Sequence, residues 1–281
     1  MWRLDEDAEI TPVTDGSRAG FKVVKHYMHS TIVQHIWLYS ESRRIDFETE
    51  IDWHEHHQLL KAAFPLDVHA NSATYEIQFG HVNRTTHENT GWDKAQFEVY
   101  GHKWVDLSEN GYGIAMLNDC KYGFNTEGST LKLTVLKCGT HPNPEADQGI
   151  HRFTYSILPH AGGFREGNVI REAYALNQPL NSAPISAHTG ELPESYGLIS
   201  CNRENIVVET VKKAEADDGL VVRMYEAYDE RTRAALEIPE QYTRASLCDL
   251  MENPIQTLEI RNHSIELEIS NFEIVTVKLE K

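Results

Sequence analysis

The sequence predicts an all-β protein with two sandwich domains, and three observations lead to this class. Short runs that alternate apolar and polar residues recur along the chain, with turn residues between them. A helix is predicted only over residues 167–176. A stretch with three prolines and many small polar residues, about 172–193, has the composition of a linker. We therefore expect a first domain over residues 1–193, which includes this linker, and a second domain over residues 194–281.

The first 53 residues predict a series of strands. In residues 21–24 and 32–39 apolar and polar side chains alternate over short runs, and turn residues flank these runs. Residues 44–53 alternate strictly, which indicates that one face of this strand packs on a core. The other face carries four carboxylates and is either solvated or lines an acidic cleft. The inward set is Ile45, Phe47, Thr49, Ile51 and Trp53, and the acidic set is Asp46, Glu48, Glu50 and Asp52.

Two more strands are predicted in the first domain, over residues 75–80 and 130–136. In the second of these, Leu131, Leu133 and Val135 share one face, so we expect them to point into a core. The short helix over 167–176 then leads into the linker, whose prolines argue against further regular structure.

The second domain has several short strand-like runs at roughly even spacing, which is typical of a small immunoglobulin-like β-sandwich. Residues 261–264 are predicted to form a hairpin turn between 258–260 and 265–267. This domain shows no chemistry-bearing constellation, so we expect it to support the first domain. Its predicted strands are 205–211, 219–228, 234–238, 257–260, 264–269 and 272–279.

Composition excludes several classes of function. The chain has 281 residues, 40% of them hydrophobic and 25% charged, as in soluble globular proteins. Its net charge of -17 argues against nucleic acid or an anionic membrane as a partner. No signal peptide and no membrane span is predicted. The four cysteines lie far apart, which favours reduced thiols and a cytoplasmic protein. A homo-oligomer remains possible.

The stretch from Gly80 to Phe124 is the richest candidate for function. It is crowded with aromatic, acid, amide and imidazole side chains and has no long apolar run. Such a surface suits a polyhydroxylated ligand, because a sugar ring stacks on an aromatic ring while its hydroxyls bond to fixed polar groups. The alternative is a set of half-buried turns whose polar groups satisfy one another.

A second polar block, residues 54–57, contains three histidines. His54 and His56 could face the same side and bind a metal through neutral imidazoles. Their spacing is not the HExxH pattern of a metalloprotease helix, and we expect them to be hydrogen-bonded histidines between two strands. We assign no metal-ligating residue in this chain.

The order of residues within these stretches is similar to the C-terminal half of the glycoside hydrolase family 38 α-mannosidases. That family has a run close to RPTHxNTSWDxAxFEVxxHKWADLSExGYGxALLNDxKYG. The match continues in residues 52–61 and 146–160, and covers essentially the whole chain. Two loop positions depart from the family pattern, Asn143 and the turn 137–139. The corresponding residues here are Arg84–His87, Asn89–Asp93, Phe97–Val99, His102–Glu109 and Leu117–Gly123.

The resemblance implies a galactose mutarotase-like β-supersandwich followed by the small immunoglobulin-like sandwich. Family 38 enzymes are retaining, exo-acting α-mannosidases that use zinc, an aspartate nucleophile and a carboxylic acid. In the family those groups lie in an N-terminal catalytic domain, so we assign no catalytic residue and no cofactor to this chain. Zinc is expected in the full-length parent. The expected partners are that N-terminal domain, which this half would brace while closing its cleft, and a mannose-containing oligosaccharide.

If residues of this chain contact substrate, the resemblance and the composition point to two clusters in the stretch 80–124. The isolated chain is expected to be inactive on α-mannosides. Two alternatives remain open: a stand-alone mutarotase or epimerase, in which a histidine acid and a glutamate base convert a sugar, and a non-catalytic carbohydrate-binding module. The histidines and glutamates that the first alternative needs are supplied by His87, His102, His151, Glu76 and Glu98. The candidate substrate-binding residues are His87, Asn89, Trp92 and Asp93 in one cluster and Asn118, Asp119, Lys121 and Tyr122 in the other.

Overall fold

The computed structural model describes residues 3–4, 7–191 and 193–281 and separates the chain into two compact units. The first unit comprises Met1–Ile77 and Val82–Asn181. The second comprises Gln78–His81 and Ser182–Lys281. Both units are built almost wholly from antiparallel strands, which confirms the predicted all-β class.

The first unit contains a nine-stranded and a four-stranded antiparallel sheet. Along the large sheet the strand order is β1-β2-β3-β4-β13-β10-β9-β6-β7, and along the small one it is β5-β12-β11-β8. The strands are β1 (Glu9–Asp15), β2 (Arg18–Tyr27), β3 (Ser30–Tyr39), β4 (Ile45–Trp53), β5 (Gln58–Pro65), β6 (Ser72–Ile77), β7 (Gly80–Thr85), β8 (Val99–Tyr100), β9 (Trp104–Ser108), β10 (Tyr112–Asn118), β11 (Gly123–Glu127), β12 (Thr130–Cys138) and β13 (Gly149–Ala161), and helix α1 (Gly91–Ala95) lies between β7 and β8.

The core of the first unit draws on both sheets. Trp53 and Tyr75 of the large sheet and Phe124 of the small one are each no more than 1% exposed, and they belong to one hydrophobic cluster. Leu131 and Leu133 are fully buried in it and Val135 is 6% exposed, so their predicted inward orientation is confirmed. Their strand β12 alternates because every second side chain enters the space between the sheets.

Strand β4 confirms the strongest alternation in the sequence. Ile51 and Trp53 are 2% and 1% exposed, and Thr49 is also buried. The four carboxylates of the other face each bond to a basic side chain, and all except the buried Asp46 are 41–49% exposed, so most of this face is in contact with solvent. The pairs are Asp46–Arg44, Glu48–Arg18, Glu50–Arg152 and Asp52–His54.

The predicted short helix is present as α2 (Val169–Asn177). Its residues Val169, Ile170 and Ala173 are buried, and the helix packs on β9 and β10 of the large sheet. Residues 178–191 carry no regular structure, and nearly all of them are exposed. Leu192 lies outside the described residues.

The second unit is a smaller sandwich. Its two sheets have the orders β14-β17-β20 and β15-β16-β21-β18-β19, and their inner faces form a separate core around Met224, Leu236 and Val277. Two of its strands, β14 and β18, were not predicted from the sequence. The strands are β14 (Ser200–Cys201), β15 (Ile206–Lys213), β16 (Leu220–Glu226), β17 (Thr232–Glu237), β18 (Arg244–Cys248), β19 (Pro254–Leu258), β20 (Ser264–Ile269) and β21 (Ile274–Glu280).

The predicted hairpin at 261–264 is correct as a turn but wrong as a strand pair. Arg261 and Ser264 exchange two backbone hydrogen bonds around Asn262 and His263, both in the left-handed region. Two successive positive φ values are typical of a type I′ turn. The flanking strands then diverge, since β19 pairs with β18 in one sheet and β20 pairs with β17 in the other. The turn therefore carries the chain across the sandwich.

Candidate functional site

The first candidate cluster surrounds α1. Thr90 caps this helix: its Oγ1 accepts the Asp93 N–H at 3.1 Å, and the Asp93 carboxylate accepts the Thr90 N–H at 2.9 Å. This reciprocal box satisfies two backbone donors that the first turn leaves open. Hydrogen bonds from the Thr90 side chain and backbone, with His87 nearby, lower the pKa of Asp93. Asp93 is therefore an ionised capping residue that fixes the shape of the loop.

Other members of this cluster face solvent. Trp92, at the start of α1, is 84% exposed, and Asn89 is exposed beside it. The His87 Nδ1 lies 3.7 Å from the Asp93 carboxylate, and the His87 side chain is 41% exposed. The capped loop thus presents an indole ring next to imidazole, amide and carboxylate groups.

An arginine that the sequence reasoning did not select lies under this loop. The Arg84 guanidinium is stacked between two tyrosine rings, 4.6 Å from the centroid of Tyr75 and 4.8 Å from that of Tyr100. Among the described residues its buried Nη1 has no hydrogen-bond partner. Arg84 and Tyr75 line a small cavity. Its other lining residues are Thr85, His87, Glu88, Asp93, Gln96, Val99, Asn125 and Thr126.

In the second candidate cluster Asn118 and Asp119 have structural contacts. Asn118 is fully buried, donates from Nδ2 to the His102 carbonyl at 2.6 Å, and accepts the Lys121 N–H at 2.6 Å. The Asp119 carboxylate accepts the Thr154 N–H at 2.8 Å, which extends the pairing of β10 with β13. Its second oxygen is buried and has no hydrogen-bond partner among the described residues.

The other two members lie nearer the surface. The Lys121 ammonium is over the Phe153 ring, 4.7 Å from its centroid. Tyr122 is 48% exposed and lies 5.2 Å from the His102 ring, which in turn lies 5.9 Å from Tyr100. Tyr100 also contacts Arg84 below the first cluster. The rings of Tyr100 and His102 thus connect the first cluster to Tyr122 of the second.

The histidines and glutamates needed by a mutarotase-like enzyme have other partners. Glu76 is 4% exposed and accepts the backbone N–H and the ammonium of Lys103 at 2.6 and 3.0 Å. Glu98 accepts bonds from Lys61 and Thr134. Both carboxylates are thus held by lysines.

The pair of His160 and Asp106 lies inside the protein. His160 Nε2 lies 2.7 Å from Asp106 Oδ1, the two side chains are 0% and 3% exposed, and Ser108 donates to the other oxygen of Asp106. The His160 ring fits because Gly113 and Gly167 lack side chains: a Cβ on either would lie 2.5 Å from the ring. This pair anchors the turn before α2 and is closed to a ligand.

No group of three or more His, Cys, Asp or Glu side chains with the arrangement of a metal site occurs among the described residues. His54 bonds through Nε2 to Asp52 at 2.9 Å, as expected for a hydrogen-bonded histidine. None of the helices in the described ranges is long and apolar enough to span a membrane.

The two units, each built of antiparallel sheets, define the fold class as an all-β protein with two sandwiches. Comparison with solved structures agrees. The structure matches an α-mannosidase from Enterococcus faecalis V583 with a TM-score of 0.81 and 18% identity, over 97% of this chain and 35% of that chain. A second structure, of a protein in glycosyl hydrolase family 38 from Enterococcus faecalis, matches with a TM-score of 0.80 and 18% identity, over 97% and 36%. At this identity the match shows the fold.

Family models make the assignment specific. The model described as the glycosyl hydrolases family 38 C-terminal domain matches residues 2–145, and the family 38 C-terminal beta sandwich domain matches residues 205–277. The chain therefore belongs to glycosyl hydrolase family 38, as part of its C-terminal region.

Curated relatives agree with this assignment. Alpha-mannosidase 2C1 of Homo sapiens is 43% identical over 84% of the chain, and Alpha-mannosidase G of Dictyostelium discoideum is 40% identical over 89%. The chain spans 23% of each of these two relatives. The predicted family is thereby confirmed.

Proposed function

We propose that this chain is the C-terminal β-domain part of a retaining, zinc-dependent exo-α-mannosidase. The parent would remove terminal α-mannose from oligosaccharides. The observation that carries the proposal is the match of most of the chain to proteins named α-mannosidases, at 40–43% identity. In this proposal the chain closes one side of the active-site cleft and braces an upstream catalytic domain, while the nucleophile and the zinc ligands lie upstream.

Within this chain, the loop around α1 is the best candidate for contact with the sugar. Trp92 offers an exposed ring for the apolar face of a mannose unit, and stacking of this kind brings most of its energy from area removed from water. His87 and Asn89, exposed in the same loop, supply donors and acceptors, and the ionised Asp93 holds the loop in place. A preformed loop loses little conformational entropy when it binds.

The second cluster has a different proposed role. The buried bonds of Asn118 and the bond from Asp119 to β13 make these two residues positioning groups for the loop 118–122. Tyr122 is the member of this cluster with enough exposed surface to touch a ligand. The lysine contacts of Glu76 and Glu98 give no support to a stand-alone mutarotase or epimerase.

The cytoplasmic location stays a prediction. It is supported by the four cysteines, all of which are free thiols in the structure, as expected for a chain kept in a reducing compartment.

A mixing experiment tests the proposed function. The upstream part of the gene product and this 281-residue chain are expressed separately, and hydrolysis of an aryl α-mannoside is followed with either part and with both. We expect hydrolysis at an enzymatic rate only with both parts. Equal activity of the upstream part with and without this chain would contradict a cleft-closing role. A carbohydrate-binding module would instead bind mannosides without changing that rate.

A further inference from the structure

One face of the first three strands is apolar and uncovered. In the large sheet Ile32 of β3 pairs with Ile51 of β4, and both belong to the first core. Alternation then places Ile36 and Leu38 on this same core-facing side. The strand register adds the side chains opposite them on β2 and β1. The set, which we call the overhang, is Ile10, Pro12, Phe21, Val23, Ile36 and Leu38.

The small sheet does not reach the overhang. Phe64 of β5 packs edge-on against Phe47 of β4, with centroids 5.6 Å apart, so core packing extends to β4. None of the overhang residues belongs to the first core. Ile10, Leu38 and Phe21 are 62%, 52% and 49% exposed, so each keeps about half or more of its surface open to solvent. A sheet face that is packed along β4 thus continues as an open apolar surface along β1–β3.

The reverse face of these strands carries more charged and imidazole groups, although Val24, Val33 and Trp37 also lie on it. Phe21 is followed by Lys22, and Lys22 lies opposite His35 on the reverse face. Beside His35 on that face is Glu48, paired with Arg18. Contiguous apolar surface of this kind marks an interaction site. Strand β1 is also the free edge of the sheet, and its backbone can pair with a further strand.

We propose that the overhang is the docking surface for the upstream part of the parent protein. This inference rests on the proposed function. The family model calls the matched region a C-terminal domain, and the chain spans 23% of its curated relatives, so a large partner within one polypeptide is available. A second copy of the chain is the competing occupant. The net charge of -17 on each copy opposes that association.

The test compares overhang variants with matched controls on the 281-residue chain. Phe21→Asp and Leu38→Asp place a charge in the overhang, and Met251→Asp and Ile255→Asp place one at residues that are 81% and 66% exposed in the second unit. Affinity for the separately expressed upstream part is measured by titration calorimetry. We expect each overhang variant to bind on the order of tenfold more weakly and each control to bind like wild type.

A second measurement does not depend on variants. Hydrogen exchange of the wild-type chain is followed with and without the upstream part, and the amides of β1–β3 should gain protection on binding. Three results would overturn the inference: unchanged affinity of both overhang variants, no gain of protection in β1–β3, or a dimer of the chain that Phe21→Asp dissociates. A gene product without an upstream part would also overturn it.

Aryl α-mannoside hydrolysis by the same mixtures separates the inference from the proposed function. Hydrolysis that persists with both overhang variants, with affinity unchanged, would leave the proposed function intact and refute the docking surface. Binding through the overhang without any hydrolysis by the complex would support the docking surface and refute the proposed function.

Discussion

Removal of the buried Asp106 carboxylate should destabilise the first unit more than any change on its surface. In Asp106→Ala the His160 imidazole and the Ser108 hydroxyl lose their common acceptor, and the imidazole remains enclosed. A buried polar group left without a partner costs about 1–3 kcal/mol. The His160 imidazole therefore accounts for about 1–3 kcal/mol, and the half-buried Ser108 hydroxyl, which can bond to water, adds less.

Tryptophan fluorescence in a urea titration measures this loss selectively. Four of the five tryptophans, Trp37, Trp53, Trp92 and Trp104, lie within the first unit, and Trp2 is outside the described residues. None of the described tryptophans lies in the second unit, so their signal reports the unfolding of the first. Trp104 of β9 stacks on Phe164, at 5.1 Å, in the segment between His160 and α2. Its emission should therefore respond to loosening of that segment.

The control is Glu50→Gln, which breaks a pair whose Arg152 and Glu50 side chains are 71% and 48% exposed. Exposed pairs of this kind contribute about 0.2–1 kcal/mol. If Asp106→Ala lowers the free energy of unfolding no more than this control, the buried pair does not anchor the turn as described.

Three further predictions concern single groups. Although Cys120 is exposed as a residue, partial burial of its thiol, helped by Asp119, raises the pKa of that thiol to about 11, so iodoacetamide should modify it at pH 8 on the order of a hundredfold more slowly than an unfolded cysteine. Burial raises the pKa of Tyr155 to about 12, so the folded state keeps the phenol proton at pH values where the unfolded state loses it. The free energy of unfolding should therefore fall as pH rises from about 10 to 12, and Tyr155→Phe should make this fall shallower. Trp92→Ala should change the unfolding free energy by less than about 0.5 kcal/mol but raise KM of the reconstituted enzyme.

Strand alternation made the first core predictable. Ile51 and Trp53 lie inside because every second residue of β4 faces the other sheet, and the same reasoning placed Leu131 and Leu133. The turn at 261–264 was also predictable from local sequence. Its partner strands were not, because the choice between two sheets depends on packing across the sandwich.

In the candidate site, too, the contacts that depend on packing could not be predicted from local sequence. Asn118 is in the loop that the resemblance selected, yet its contacts with the His102 carbonyl and the Lys121 N–H make it structural. Arg84 was quoted in the matching run but not chosen, because its position between Tyr75 and Tyr100 depends on β6 and β8, which are distant in sequence. The Asp106–His160 pair likewise joins residues 54 positions apart, and no local pattern marks it.

The most direct test of the central claim is the rate at which the isolated 281-residue chain hydrolyses an aryl α-mannoside, with and without added zinc. The described residues contain no group of three or more side chains that could hold a metal, and the carboxylates Glu76 and Glu98 are bound to lysines. The account therefore predicts no hydrolysis above the buffer rate in either condition. Hydrolysis at an enzymatic rate by this chain alone would place the chemistry within it and contradict the account.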